Sequence, residues 1–131
     1  MMGKGRDKVP SDLDLATTKM SKNGMFKVSI ASKLNPVAIN KMHAWVLTIQ
    51  KPDGSAVSDA KVDISGGMPQ HGHGFPTHPR VTKNLGDGKY LIEGVRFNMG
   101  GWWELKATTG AGMGMGKGGH TDKVTFNIVL K

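Results

Sequence analysis

The sequence predicts an all-β protein, an antiparallel β-sandwich of about seven strands. Three observations lead to this prediction. Apolar and polar residues alternate over short stretches, turn signals rich in Gly, Pro, Asn and Asp separate the stretches about every 8–12 residues, and no stretch shows the helical period. A β-barrel has the same alternation and is the alternative architecture.

Three strands are predicted in the first half of the chain, over residues 26–31, 43–50 and 60–64. Each places alternate apolar side chains on one face. Asn35-Pro36 ends the first strand, and Gly66-Gly67 ends the third. The turn at 51–54 separates the second strand from the third, because Pro52 presets φ and the following Asp-Gly favours a turn.

The second half predicts four more strands, over residues 80–85, 90–97, 102–107 and 123–130. Gly86-Asp87-Gly88 predicts a tight hairpin turn. Gly94 changes the parity of alternation between Ile92 and Val95, which predicts a β-bulge. The predicted core contains the inward apolar residues of all strands: Phe26, Val28, Ile30, Trp45, Leu47, Ile49, Val62, Ile64, Tyr90, Ile92, Val95, Phe97, Trp103, Leu105, Phe126, Ile128 and Leu130.

The composition predicts one β-domain over residues 24–131, preceded by a flexible N-terminal leader over residues 1–23. The chain of 131 residues carries a net charge of +8, but its lysines are dispersed, and no run of four basic residues occurs. Nucleic acid is therefore not an expected partner. No apolar run approaches the ~20 residues of a membrane span, and none is predicted.

Two clusters of potential soft-metal ligands stand out in a chain without cysteine. In the segment Met68–Pro79, His71 and His73 would project to the same side of an extended loop, with Met68 or His78 as a further ligand. The second segment, 110–120, places Met113, Met115 and His120 among glycines. Both segments would share one metal only if they lay at the same end of the sandwich. Adventitious metal binding by a histidine-rich loop is the alternative.

Catalysis is not predicted. The sequence has no nucleophile elbow and no HExxH motif, and Glu93 and Glu104 have the pattern of solvated strand charges. His43 begins a strand, and a hydrogen-bonded, partly buried imidazole is the favoured interpretation over a ligand.

Three ordered segments resemble the YtkA-like/FixH-like domain family. They are Gly67-Met68-Pro69 with the histidines that follow, the stretch 86–90 that ends in Gly-Lys-Tyr, and the stretch 95–105, which contains Phe-x-Met-x-Gly-x-Trp. The resemblance extends over residues 24–131. The matching positions are Met68, Pro69, Met99 and Trp103, and a methionine–tryptophan contact would close one end of the sandwich.

The resemblance implies an immunoglobulin-like sandwich found outside the bacterial cytoplasm, in connection with copper handling and cytochrome oxidase assembly. The expected location is periplasmic or otherwise extracytoplasmic, with a leader or anchor removed; a cytoplasmic protein is the alternative. The expected function is a non-enzymatic copper-binding or delivery module, with a protein partner in metalloenzyme assembly. A structural or protein-interaction module with incidental metal binding is the alternative. The candidate ligands are His71, His73 and Met68, followed by His78, Met99, Met113, Met115 and His120.

Overall fold

The computed structural model describes residues 9–111 and 120–130. Its elements are eight strands: β1 (Thr18–Met20), β2 (Lys27–Ser32), β3 (His43–Gln50), β4 (Lys61–Gly67), β5 (Arg80–Gly86), β6 (Lys89–Val95), β7 (Gly101–Ala111) and β8 (His120–Leu130). They form two antiparallel sheets, of order β1-β2-β3-β6-β5 and β4-β7-β8. The predicted all-β sandwich is confirmed. Nowhere in these two ranges is there a helix that could span a membrane.

Antiparallel pairing divides the connections between two ends of the sandwich. Residues 33–42, 68–79 and 96–100 lie at one end, which we call the histidine end. Residues 21–26, 51–60 and 87–88 lie at the opposite end. The paired residues Ala111 and His120 lie at that opposite end too, because β7 runs away from the histidine end. This division determines which side chains can act together.

The core is close to the predicted one. Thirteen of the predicted residues are buried, whereas Val62, Ile64, Ile128 and Leu130 are partly buried against them. The first two of these lie on β4, an edge strand, and the other two lie at the end of β8, where fewer neighbours cover them. The structure adds four residues to the predicted core: Val57, Met68, Ala107 and Val124.

The predicted turn and bulge are both present. Asp87 and Gly88 have φ values of 54° and 78°, the positive pair that a type I′ hairpin turn requires. Between β3 and β6, His43 pairs with Val95 and Trp45 with Ile92, so β6 holds one extra residue beside Gly94. The edge strand β5 has two further register shifts against β6, after Val81 and after Asn84.

The strand β1 lies near the end of the segment 1–23, which the sequence predicts to be a leader. Lys19 reaches across to the second sheet, where its Nζ donates to the Thr125 carbonyl at 2.8 Å and lies 6.0 Å from the Phe126 ring centroid. The Lys22 amide donates to the Lys123 carbonyl at 2.7 Å. These contacts join one edge of each sheet. Three mostly polar residues are too few to show an alternating pattern in the sequence.

The carboxylate of Asp122 holds the turn after β1 against β8. It is only 3% exposed, and it accepts hydrogen bonds from the Ser21 hydroxyl at 2.6 Å and from the Asn23 amide and side chain at 2.8 and 3.0 Å. The amides of Met25 and Lys123 also donate to it. A carboxylate with this many donors tolerates burial because each lost water contact is replaced.

The pKa of Asp122 reflects this balance. Burial is the largest single influence and raises the pKa, but the hydrogen bonds from Ser21, Lys123, Asn23 and Met25 together bring it below the ordinary value of 3.8. The ionised carboxylate therefore stabilises the folded state. That contribution is complete at a pH above the pKa of Asp122 in the unfolded chain. It is lost as the pH falls through the lower pKa of Asp122 in the folded protein.

Asp122→Asn is expected to lower the free energy of unfolding at neutral pH by about 2 kcal/mol, because the amide NH₂ faces donors and cannot accept from them. Chemical denaturation measures this. Asp63→Asn, an exposed change on β4, is the matched control. Its free energy of unfolding should stay within about 0.5 kcal/mol of that of the parent.

Below about pH 4 the parent should also lose stability more steeply than Asp122→Asn, since the unfolded chain then binds a proton that the folded Asp122 does not. Denaturation series between about pH 2 and pH 6 test this. Equal slopes for the two proteins would contradict the assigned role of the carboxylate.

Candidate metal centre

The segment after β4 is a tight hairpin that presents two histidines. Met68 and His73 form an antiparallel bridge, in which the Met68 amide donates to the His73 carbonyl at 2.9 Å. The Met68 carbonyl accepts from the amides of His71 and Gly72, at 3.1 and 3.0 Å. Pro69 occupies the position after the bridge, where a preset φ favours such a turn. The predicted extended loop is therefore a closed four-residue turn, and we call residues 68–73 the histidine hairpin.

Two glycines let the histidine hairpin lie directly on the sheet. Gly66 and Gly67 belong to β4, which the sequence predicted them to end, and their φ values are 143° and 147°. A Cβ on Gly67 would lie 2.2 Å from the His73 carbonyl oxygen. A Cβ on Gly66 would lie 2.0 Å from the Glu104 carbonyl oxygen. Any side chain at either position would push the strand or the hairpin away.

The two imidazoles are adjacent and one of them is oriented. The rings of His71 and His73 are stacked, with centroids 5.9 Å apart. His73 Nδ1 lies 2.9 Å from the Gly74 carbonyl, an oxygen that can only accept, so Nδ1 carries the proton. Nε2 of the neutral ring then presents its lone pair as a ligand. Both histidines are exposed, and the edge of His73 packs on the Trp103 ring at 6.1 Å.

An open groove of about 320 Å³ adjoins the hairpin. Met68, His73, Glu104 and Lys106 line it together with the glycines of β4 and the hairpin. Glu104 lies opposite Gly67 in the β4–β7 register, and its Oε1 is 3.6 Å from Lys106 Nζ. The sequence does not predict that Glu104 lies near the histidines, because nothing in it indicates how β4 aligns with β7.

Met68 and Met99 both contribute to the packing of the fold. Met68 is 2% exposed and belongs to the core, so its predicted role as an accessible ligand is not supported by its position. The Met99 carbonyl accepts a hydrogen bond from Trp103 Nε1 at 3.0 Å, while its side chain is exposed. The predicted methionine–tryptophan contact at one end of the sandwich therefore involves the main chain of Met99.

His78 is separate from the stacked pair. Its carbonyl accepts from Arg80 at 3.1 Å, and the preceding Thr77 hydroxyl donates to the Gly94 carbonyl at the β6 bulge. The ring contacts of the described residues join His71 to His73 and do not include His78. Across residues 9–111 and 120–130, no three His, Cys, Asp or Glu side chains are grouped closely enough to hold a metal ion.

The second predicted ligand segment lies largely outside the described residues. Met113 and Met115 lie outside the described residues, and of the candidates there only the backbone of His120 is described, paired with Ala111. From Gly101 to Ala111, β7 rises about 33 Å at about 3.3 Å per residue. The strands flanking the second segment therefore end at the opposite end of the sandwich from the histidine hairpin.

His43 has both ring nitrogens occupied. Nδ1 lies 2.8 Å from the Lys41 carbonyl and therefore donates, and Nε2 accepts from Trp45 Nε1 at 2.9 Å. The ring also packs against Phe97, with centroids 5.6 Å apart. This agrees with the favoured interpretation of a partly buried, hydrogen-bonded histidine.

Comparisons with known proteins place the domain in a family. Neither a search of curated proteins nor a search of solved structures found a match. A family model described as YtkA-like matches residues 20–108, from the end of β1 to β7, and so includes the histidine hairpin and Trp103. The chain belongs to the YtkA-like family.

Proposed function

We propose that this domain is a non-enzymatic copper-binding module, with His71 and His73 as its main ligands. The observation that carries the proposal is the stacked pair of exposed imidazoles, one of which has Nε2 directed by the hydrogen bond of Nδ1 to Gly74. Imidazole is a good ligand for both oxidation states of copper that proteins handle. The hairpin brings the two rings together without help from a metal.

The number of ligands favours copper over zinc. Structural zinc sites use four protein ligands and catalytic ones three, whereas the described residues offer two imidazoles and no third member of a cluster. Cu(I) is stable with two nitrogen ligands, and the absence of cysteine excludes a thiolate site. His78 and Met99 remain secondary candidates at the same end of the sandwich. Met68 borders the groove from the core side.

The open groove supports a role in transfer. An ion held by two ligands has coordination positions left for a donor or an acceptor, and the groove beside His73 leaves room for them. We extend the proposal to copper hand-over to a protein partner in metalloenzyme assembly, such as an oxidase. The proposed location is extracytoplasmic, where a chain without cysteine keeps its ligands under oxidising conditions.

One observation favours a second function. Backbone hydrogen bonds close the histidine hairpin, so it has a defined shape before any metal binds. A hairpin of this kind could serve as a contact surface for a protein partner, with metal binding incidental. Retention of the partner from a chelated extract would favour this second function over copper transfer.

The double variant His71→Ala/His73→Ala is expected to weaken Cu(I) binding by about 100-fold or more, because both ligands are lost. Competition against a chromophoric Cu(I) chelator measures the affinity. His78→Ala is the matched control, with an expected change below about threefold. Affinity unchanged in the double variant would refute the proposed site. Cu(II) binding to the parent should also quench the fluorescence of Trp103, which lies against His73.

Gly67→Ala is expected to weaken Cu(I) binding by about tenfold and to destabilise the fold, because the new Cβ displaces the His73 backbone. Gly54→Ala is a matched control. Gly54 also has a positive φ, 95°, but nothing lies within 4 Å of the added Cβ.

Backbone strain should therefore lower the free energy of unfolding of both variants by about 1 kcal/mol. Only Gly67→Ala should lose copper affinity as well. Equal copper affinities in the two variants would show that the position of the hairpin on β4 does not matter for the site.

A further inference from the structure

The connections at the histidine end carry cationic side chains and no carboxylate. The connections 33–42, 68–79 and 96–100 contain Lys33, Lys41 and Arg96, and Arg80 directly follows the second of them. None of these stretches contains Asp or Glu. The connections at the opposite end contain the carboxylates Asp53, Asp59 and Asp87. The loops of this sandwich are thus purely cationic at one end and mixed at the other.

Few protein carboxylates lie beside these cations: Glu93 pairs with Arg80 across β5 and β6, and Asp14 lies on the segment that enters β1 from this end. The two strand carboxylates nearest to it are Glu93, which accepts from the Thr82 hydroxyl at 2.6 Å, and Glu104, which lies 3.6 Å from Lys106. The ion pairs found in the described part of the chain do not involve the four cations at the histidine end. The charge of Lys33 and Lys41, which form no ion pair within the described residues, therefore points to a partner outside the domain.

Large apolar side chains stand exposed among these cations. Ile39, Met42 and Met99 are 41%, 57% and 36% exposed, and all three lie on the connections of the histidine end. The connections touch one another. The Asn40 amide donates to the Phe97 carbonyl at 2.6 Å, and the Phe75 ring is 5.8 Å from that of Phe97. Cations and apolar tips therefore belong to one continuous surface.

We propose that the histidine end docks on an anionic membrane surface. Exposed apolar tips enter the headgroup layer, and the surrounding lysines and arginines contact lipid phosphates. A fluid headgroup layer adapts to cations that come from three separate connections, whereas an acidic protein would have to match their spacing. The proposal rests on charge and exposure alone and does not depend on copper binding.

The test measures co-sedimentation of the metal-free protein, in the presence of a chelator, with two kinds of vesicle. One contains phosphatidylglycerol in phosphatidylcholine, and the other contains phosphatidylcholine alone. The parent should bind the anionic vesicles, release them as salt is raised, and bind the neutral ones far less. Glycerol phosphate added in solution should not compete, because a single phosphate lacks the apolar layer. Competition by it would assign the surface to a soluble phosphate instead.

Paired variants locate the surface. Lys33→Gln/Lys41→Gln should weaken binding by about 30-fold, since each cation near an anionic surface contributes about fivefold. Lys51→Gln/Lys89→Gln changes the net charge equally at the opposite end and should have an effect of about threefold or less. Ile39→Ser should weaken binding by about threefold or more, whereas Leu85→Ser, an exposed apolar control, should not.

If both double variants lost vesicle binding equally, net charge alone would explain the effect, and the proposal would be overturned. Absence of binding to anionic vesicles at low salt would overturn it as well. If the protein then bound an acidic polypeptide, such as polyglutamate, the surface would be assigned to an acidic protein partner. These outcomes do not depend on whether the histidine variants lose copper binding. Failure of one proposal can therefore be distinguished from failure of the other.

Discussion

The packing around Trp103 is the interaction on which the histidine end depends. This side chain is fully buried near the start of β7 and touches groups from three other segments. Phe75 stacks on it at 5.4 Å, and the rings of Phe97 and His73 are edge-to-face with it, at 5.1 and 6.1 Å. Its indole N–H donates to the Met99 carbonyl. Aromatic pairs of this kind contribute about 0.5–1.5 kcal/mol each beyond area burial. One tryptophan thus positions the hairpin, its return segment and the connection before β7.

The strands could be predicted from the sequence because the period of alternation is a local property. Trp45, Leu47 and Ile49 share a face whatever β3 pairs with, and Gly94 marks a bulge without knowledge of its partner. What could not be predicted depends on contacts between distant residues. The pairing of Gly67 with Glu104, the burial of Met68 and the role of Asp122 all arise from the order of strands in the sheets.

The two ligand-rich segments show the same limit more sharply. Composition alone treats His71, His73, Met113 and Met115 as one pool of soft ligands. The direction of β7 places the strand ends that flank the second segment at the opposite end of the sandwich from the histidine hairpin. Within the described residues, the chemistry that remains is that of two imidazoles on a preformed turn. For the proposed copper role, so few protein ligands favour exchange of an ion over its permanent storage.

The irregular pairing of β5 has a consequence for self-association. This strand forms one edge of the larger sheet, and an edge with a long regular ladder invites a second copy to add a strand. Two register shifts interrupt β5, and Lys83 lies exposed between them. The three-residue β1 makes the other edge of that sheet too short for a stable ladder. The larger sheet is thereby protected against edge-to-edge aggregation. Its partners are therefore expected to bind the loops at its ends and not its edge strands.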